Sequence, residues 1–206
     1  MATKQISSST LRSSGRPREF DMDAVLDGAV RVFRERGFHA TTVTDLNEAT
    51  GLTAGSLYKA FGDKRGVFLA AFERYTSQRN TELRRRMDAL QSGRDKIREL
   101  LRFYAEVSCG SEGRRGCLVV ASATALAIFD DEIVKRVEAA MRRTEDLLCR
   151  LLQEGQKDGS ISSAVNIPAM ARCLLALLQG FRVVGKSGRT RGDMLAAADE
   201  ALRLLG

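Results

Sequence analysis

The chain has 206 residues, 44% of them hydrophobic, which is enough to bury a real core as one large helical domain or a small domain joined to a larger one. Its formal charge of +7 favours a polyanionic partner, a balance that ribosomal, heparin-binding and membrane-surface proteins share with DNA-binding ones. Four cysteines without a CxxC spacing or a secretory signal exclude a disulfide scaffold and a zinc module and point to reduced thiols in a cytoplasm.

Residues 1–18, MATKQISSSTLRSSGRPR, hold cations and no acid among Ser, Thr and Gly, so they read as a flexible basic arm. No apolar h-region follows them. Arg16 and Arg18 are placed to grip phosphates or a minor groove; the alternative is a disordered leader. Asp21 then caps a helix whose Met22, Val25, Leu26, Ala29, Val30 and Phe33 form one buried stripe, with Phe20 set to staple onto Val25 and Gly37 as the stop.

The stretch Thr41 to Lys64, TTVTDLNEATGLTAGSLYKAFGDK, is written as a helix-turn-helix. Thr42 with Asp45 has the spacing of a capping box, Val43, Leu46 and Ala49 share a side, and Gly51 ends the helix. Thr53 caps a second helix that buries Leu57 and Phe61 and turns Thr53, Ala54, Gly55, Ser56 and Lys59 outward, small or polar side chains suited to a major groove. Thr42, Thr44, Tyr58 and Lys64 would flank it at the backbone. An ordinary helical hairpin has the same spacing. The helix after Asp63, with Val67, Phe68 and Phe72 inward, completes a three-helix reading head over residues 19–65.

The run Thr41-Thr42-Val43, Gly51-Leu52-Thr53, Gly55-Ser56-Leu57-Tyr58, Phe61 and Asp63-Lys64 resembles the N-terminal signature of the TetR family of bacterial transcriptional regulators. The likeness extends back through Phe20 to Gly37 and departs at Asn47 and Ala60, positions that bear on phosphate contacts and not on the fold.

Beyond the head there are no strand signals, and only two prolines, Pro17 and Pro168, both near helix starts. The periodicity predicts a helix to about Leu90, then helices over Arg94–Cys109, Gly116–Phe129 and Asp131–Gly155. One more opens at Asn166 and Pro168, and a last one carries Met194 to Leu205. The fold class is therefore all-α: a head and a larger helical domain, residues 66–206, which the family resemblance implies are for DNA binding and for effector binding and dimerisation. The longest apolar run, Cys117 to Phe129, is too short to cross a bilayer, so no membrane partner is expected.

The last two helices are apolar over more than one stripe, and either a core or a partner must cover the excess. The family resemblance implies a homodimer through a four-helix bundle, which assigns Leu177, Phe181, Leu195, Ala198 and Leu202 to an interface and two heads to a palindromic double-stranded operator. The resemblance also implies an unknown small-molecule effector. Phe103, Tyr104, Val107, Cys117, Ala121, Met170 and Leu174 are its candidate pocket, or else plain core.

Arg114-Arg115-Gly116-Cys117 places a thiol at a helix start beside two guanidiniums, both of which stabilise a thiolate. Cys109 is a candidate resolving thiol or second soft-metal ligand; the alternative for both is a small buried hydrophobe. The segment RRGCLVVASATAL resembles a subgroup whose members respond to electrophiles, oxidants or copper. The single histidine, His39, has no nucleophile or metal-ligand spacing near it, so an enzyme, a cofactor and a resident metal are not expected. The reading is a cytoplasmic, nucleoid-associated repressor released by effector; the rival is a sequence-indifferent architectural DNA-binding protein.

Overall fold

A computed structural model describes residues 20–125 and 130–206, and every regular element among them is helical. The basic arm, with Arg16 and Arg18, and residues 126–129 lie outside the described residues.

The head is built by local caps. Helix α1 (Met22–Ala40) opens where Asp21 accepts from the N–H groups of Asp23 and Ala24, and breaks at Gly37, which sits at φ 77°. In α2 (Val43–Thr50) the Asp45 N–H donates to Thr42 Oγ1 at 3.1 Å and the Thr42 N–H to Asp45 Oδ2 at 2.9 Å, a complete capping box. Left-handed Gly51 closes that helix, and Thr53 caps α3 (Ala54–Phe61) by accepting from Ser56 N–H. Asp63 does the same for α4 (Lys64–Met87) through Gly66 N–H at 2.7 Å. A Cβ on Gly28 would lie 2.3 Å from the Ala49 carbonyl oxygen, so glycine is what lets α1 cross α2 this closely.

Phe33, Leu46, Leu57, Val67 and Phe68 are fully buried in the head, with Phe33 edge-on to Phe68 at 5.1 Å. That core does not stop at the head. It continues into Leu118 of α7 (Leu118–Ala125) and Ile133 and Val137 of α8 (Asp131–Lys157), and Arg65 pairs with Asp130 where α8 begins. The long α4 therefore belongs to both halves, with Val67, Phe68 and Phe72 in the head's core and Leu83 and Met87 in the second.

A second core gathers Leu83 and Met87 of α4 with α5 (Gly93–Glu106), the C-terminal half of α8, α9 (Ile167–Val184) and α10 (Arg191–Ala201). Single 3-10 turns extend the last two helices over Gly185–Ser187 and Leu202–Leu205. With its extension α9 is apolar and long enough to cross a bilayer, mean hydropathy 1.5, but Ala171, Leu174, Leu178 and Phe181 are buried in this core, as in any central helix of a bundle.

Several boundaries in the second domain differ from the sequence-based expectation. Helix α5 ends at Glu106 instead of Cys109, and a short helix α6 (Gly110–Arg115) occupies what read as a connection. Its sequence, GSEGRR, has no apolar stripe to announce it. Long-range bonds to Arg34 hold it in place. The predicted helix over Gly116–Phe129 begins at Leu118 and is described to Ala125.

Candidate DNA interface and sensor cavity

On the reading helix Thr53, Gly55, Tyr58 and Lys59 are exposed, Ala54 and Ser56 partly so, and Thr42 and Thr44 are exposed at the start of α2. Leu57 is drawn fully into the core and Phe61 partly follows it, which leaves Gly55, Tyr58 and Lys59 to solvent. Nothing lies within 4 Å of a Cβ built on Gly55, so the protein itself has no steric need for glycine there. Lys64 is tied inward: its ammonium donates to the Thr41 carbonyl at 3.1 Å and stands 4.6 Å above the Phe38 ring. It braces the entry to α2, a role the sequence did not suggest.

The sensor half encloses a cavity of about 50 Å³ between α4, α5, α7, α8 and α9. Tyr75, Arg79, Asn80, Cys117, Gln179 and Arg182 are among its polar lining residues, and Phe103, Val119, Ala140 and Met141 among its apolar ones. Of the predicted pocket residues, Phe103, Tyr104 and Cys117 line this space. Val107 and Ala121 open onto other, shallower depressions, and Leu174 is wholly within the second core, with Met170 packed against it.

Cys117 stands just before α7. Burial opposes its ionisation, but the Arg182 guanidinium, the Val120 N–H and the Tyr75 hydroxyl outweigh that, and the thiol titrates below its ordinary value. The cation is Arg182. It is not Arg114, which is exposed, nor Arg115, which pairs with Glu35 at 3.0 Å and Glu112 at 2.9 Å. Cys109 sits apart against the second core, its thiol donating to the Glu106 carbonyl at 3.0 Å. Among the described residues no group of three His, Cys, Asp or Glu side chains is placed to hold a metal ion.

Arg182 is 3% exposed. One of its terminal nitrogens reaches the Val107 carbonyl and the Ser108 hydroxyl, the other the Tyr75 oxygen at 3.1 Å and the Gly116 carbonyl at 3.2 Å. Gly116, at φ 82°, presents that same carbonyl to Arg34 of α1, whose Nε and Nη2 donate to it at 3.0 and 2.9 Å. Arg34 also holds the Glu112 carboxylate at 3.0 Å and the Glu112 carbonyl at 3.1 Å. One backbone oxygen, adjacent to the thiol, thus joins the cavity to a helix of the DNA head.

Sequence reasoning missed Arg182, Arg79, Tyr75 and Arg34. A signal existed for the first: Arg182 falls four residues after Leu178 and eight after Leu174, on a stripe that is otherwise buried and apolar. A charge on such a stripe must be paired or functional.

Of the predicted interface residues, Phe181, Ala198 and Leu202 are committed to the chain's own core, and Leu177 and Leu195 pack partly against it. The outward line of α9 is instead Cys173, Ala176, Gly180 and Val184, small residues at helical spacing.

A capped helix pair with an exposed polar reading face, carried on a helical domain with its own cavity, defines a helix-turn-helix DNA-binding regulator. Residues 25–71 match the family described as bacterial regulatory proteins, tetR family, and residues 93–197 the tetracyclin repressor-like C-terminal domain. The chain belongs to the TetR family of transcriptional regulators. It is 27% identical over 197 residues to the transcriptional repressor ComR of Escherichia coli K12, covering 94% of this chain and 92% of that protein. It is 32% identical to the repressor KstR2 of Rhodococcus jostii RHA1, covering 80% and 77%. A solved structure of a cysteine mutant of the TetR family regulator CifR, complexed with 26 bp double-strand operator DNA, superposes with a TM-score of 0.83 at 31% identity, covering 93% of this chain and all of that one.

Proposed function

We propose that this chain is a homodimeric repressor that holds a palindromic operator until a small electrophile or oxidant reaches Cys117. The observation that carries the reading is the Gly116 carbonyl shared by Arg34 and Arg182, one residue from a thiol with a depressed pKa. An adduct or an oxygen on that sulfur displaces Arg182 or the Cys117 backbone. Gly116 then cannot keep both guanidiniums, and α1 shifts with Arg34. Energetically this is a two-state equilibrium: the modified sulfur favours the released arrangement, and operator in turn disfavours modification.

Thr42, Thr44, Thr53, Ala54, Gly55, Ser56, Tyr58 and Lys59 are the reading surface in this proposal, with Lys64 as a brace. Operator-bound CifR supports it at the level of fold. The dimer is read from the small-residue line on α9 together with exposed Val183, Val184 and Leu204, apolar groups that a second copy would cover. The cavity is used for stoichiometric sensing, without turnover.

The test is selection of bound DNA from a random library, with thiols reduced and after mild peroxide. A palindrome lost on oxidation is the expected result. A palindrome indifferent to peroxide leaves the repressor and removes the thiol switch, and the absence of any consensus returns the architectural alternative.

A further inference from the structure

The cavity has more positive charge than its own anions neutralise. Arg34, Arg79 and Arg182 all converge on Tyr75: Arg79 lies 4.6 Å and Arg34 5.4 Å from the ring centroid, and Arg182 donates to the hydroxyl. Of these, Arg79 and Arg182 line the cavity, whose lining residues include no carboxylate; the acid that reaches this cluster is Glu112. Glu112 bonds Arg34 at 3.0 Å and Arg115 at 2.9 Å, and approaches Arg79 only to 3.7 Å. The Nε of Arg79 is buried without any hydrogen-bond partner, in a side chain that lines the cavity. Leaving a buried cationic donor unpaired is costly, and such groups in native structures mark a missing partner.

The other polar lining groups are largely satisfied from within. The Thr76 hydroxyl donates to the Phe72 carbonyl at 3.1 Å, and the Thr144 hydroxyl to the Ala140 carbonyl at 3.2 Å while also bonding the Tyr104 side chain. The Asn80 and Gln179 amides line the space as well, but its cationic groups are the Arg79 and Arg182 guanidiniums, in company with apolar Val119, Ala140 and Met141. A planar fork of N–H donors is complementary to a carboxylate, and the small volume limits the rest of the ligand to a short chain.

We propose that the cavity is a carboxylate site: Arg79 and Arg182 grip a short organic acid by its carboxylate and present its electrophilic carbon to Cys117. This rests on the reading of Cys117 as the sensing thiol, and it narrows the effector from any electrophile to an anionic one.

Iodoacetate and iodoacetamide test it, since they share a leaving group and differ in charge. In each the Cys117 thiolate attacks the methylene carbon, the S–C bond forms, and the C–I bond breaks with its electron pair leaving as iodide. The rate at Cys117 is read by mass spectrometry, with the neutral free thiol 2-mercaptoethanol as the reference. The expected result is an iodoacetate-to-iodoacetamide rate ratio about fivefold higher at Cys117 than at the free thiol, the effect of one favourable ion pair of about 1 kcal/mol. Arg79→Gln should reduce the ratio to that of the free thiol, and Arg79→Lys should retain most of it.

A second arm needs no chemistry at sulfur. In Cys117→Ser protein at fixed ionic strength, acetate should raise the melting temperature and acetamide should not. Equal rate ratios at Cys117 and the free thiol, or equal melting shifts from acetate and acetamide, overturn the carboxylate site. If the acid preference is seen but carboxymethylation leaves operator bound, the carboxylate site stands and the sensing role of Cys117 falls instead.

Discussion

The reading head and the sensor cavity both depend on polar groups, but they satisfy them over different distances. In the head each cap is closed within three residues: Thr42 by Asp45, Thr53 by Ser56, Asp63 by Gly66. In the cavity the partners are distant in sequence: Arg182 reaches Tyr75 across 107 positions and Gly116 across 66. A head capped by local bonds has helix ends set by its own sequence, although its core is shared with α7 and α8. A cavity built from distant bonds is a junction, and a change at one atom is felt by every helix that contributes to it.

Removing a residue from each region should expose that contrast. The largest loss is expected from Arg34→Ala, whose side chain is 7% exposed and bonds both Glu112 and Gly116. Glu112 is 44% exposed and keeps Arg115, so the loss is that of several part-buried hydrogen bonds, about 2–3 kcal/mol in all. For a chain of this size that lowers the melting temperature by roughly 8 °C, which calorimetry would detect. A drop of only a degree or two would mean that the junction carries little of the stability.

Next comes Gly55→Leu, where the protein has open space and the groove would not. Circular dichroism should show an unchanged fold, while operator affinity falls by about 2 kcal/mol, roughly thirtyfold. Retained affinity would place the reading face elsewhere. Thr42→Ala removes one local cap and should cost about 1 kcal/mol. Its effect is confined to the head, so the alkylation rate of Cys117 should not move.

The smallest effect is on pH profiles. Cys117 is held below the ordinary thiol pKa, whereas burial, followed by Glu145 and Asp146, pushes Cys149 above it. Because the thiolate reacts, labelling by iodoacetamide should rise with pH through a lower midpoint at Cys117 than at Cys149. Coincident midpoints would remove the special character of Cys117.

The same difference in range explains what could be read from the chain. Capping boxes, glycine stops and the 3,4 spacing of Val25, Ala29, Val30 and Phe33 are local, and the head follows from them with its boundaries nearly intact. Cys117 was also visible, through its place at a helix start. Its cation was not, because the neighbouring Arg114 and Arg115 are turned to solvent and to acids while Arg182 arrives from another helix. Helix α6 escaped for a related reason: its bonds to Arg34 have no counterpart in its own six residues. The inward Phe181, Ala198 and Leu202 show a further limit, since periodicity finds an apolar stripe without saying whether a core or a second copy covers it.

The most direct measurement is operator affinity by fluorescence anisotropy before and after alkylation of Cys117 with iodoacetamide, in the native chain and in Arg34→Gln. Alkylation should weaken operator binding by at least about tenfold, a coupling of about 1.4 kcal/mol, in the native chain and have little effect once Arg34 no longer bridges the cavity to the head. Equal affinity before and after alkylation in the native chain, or an undiminished response in Arg34→Gln, would contradict the shared carbonyl as the route from sensor to DNA.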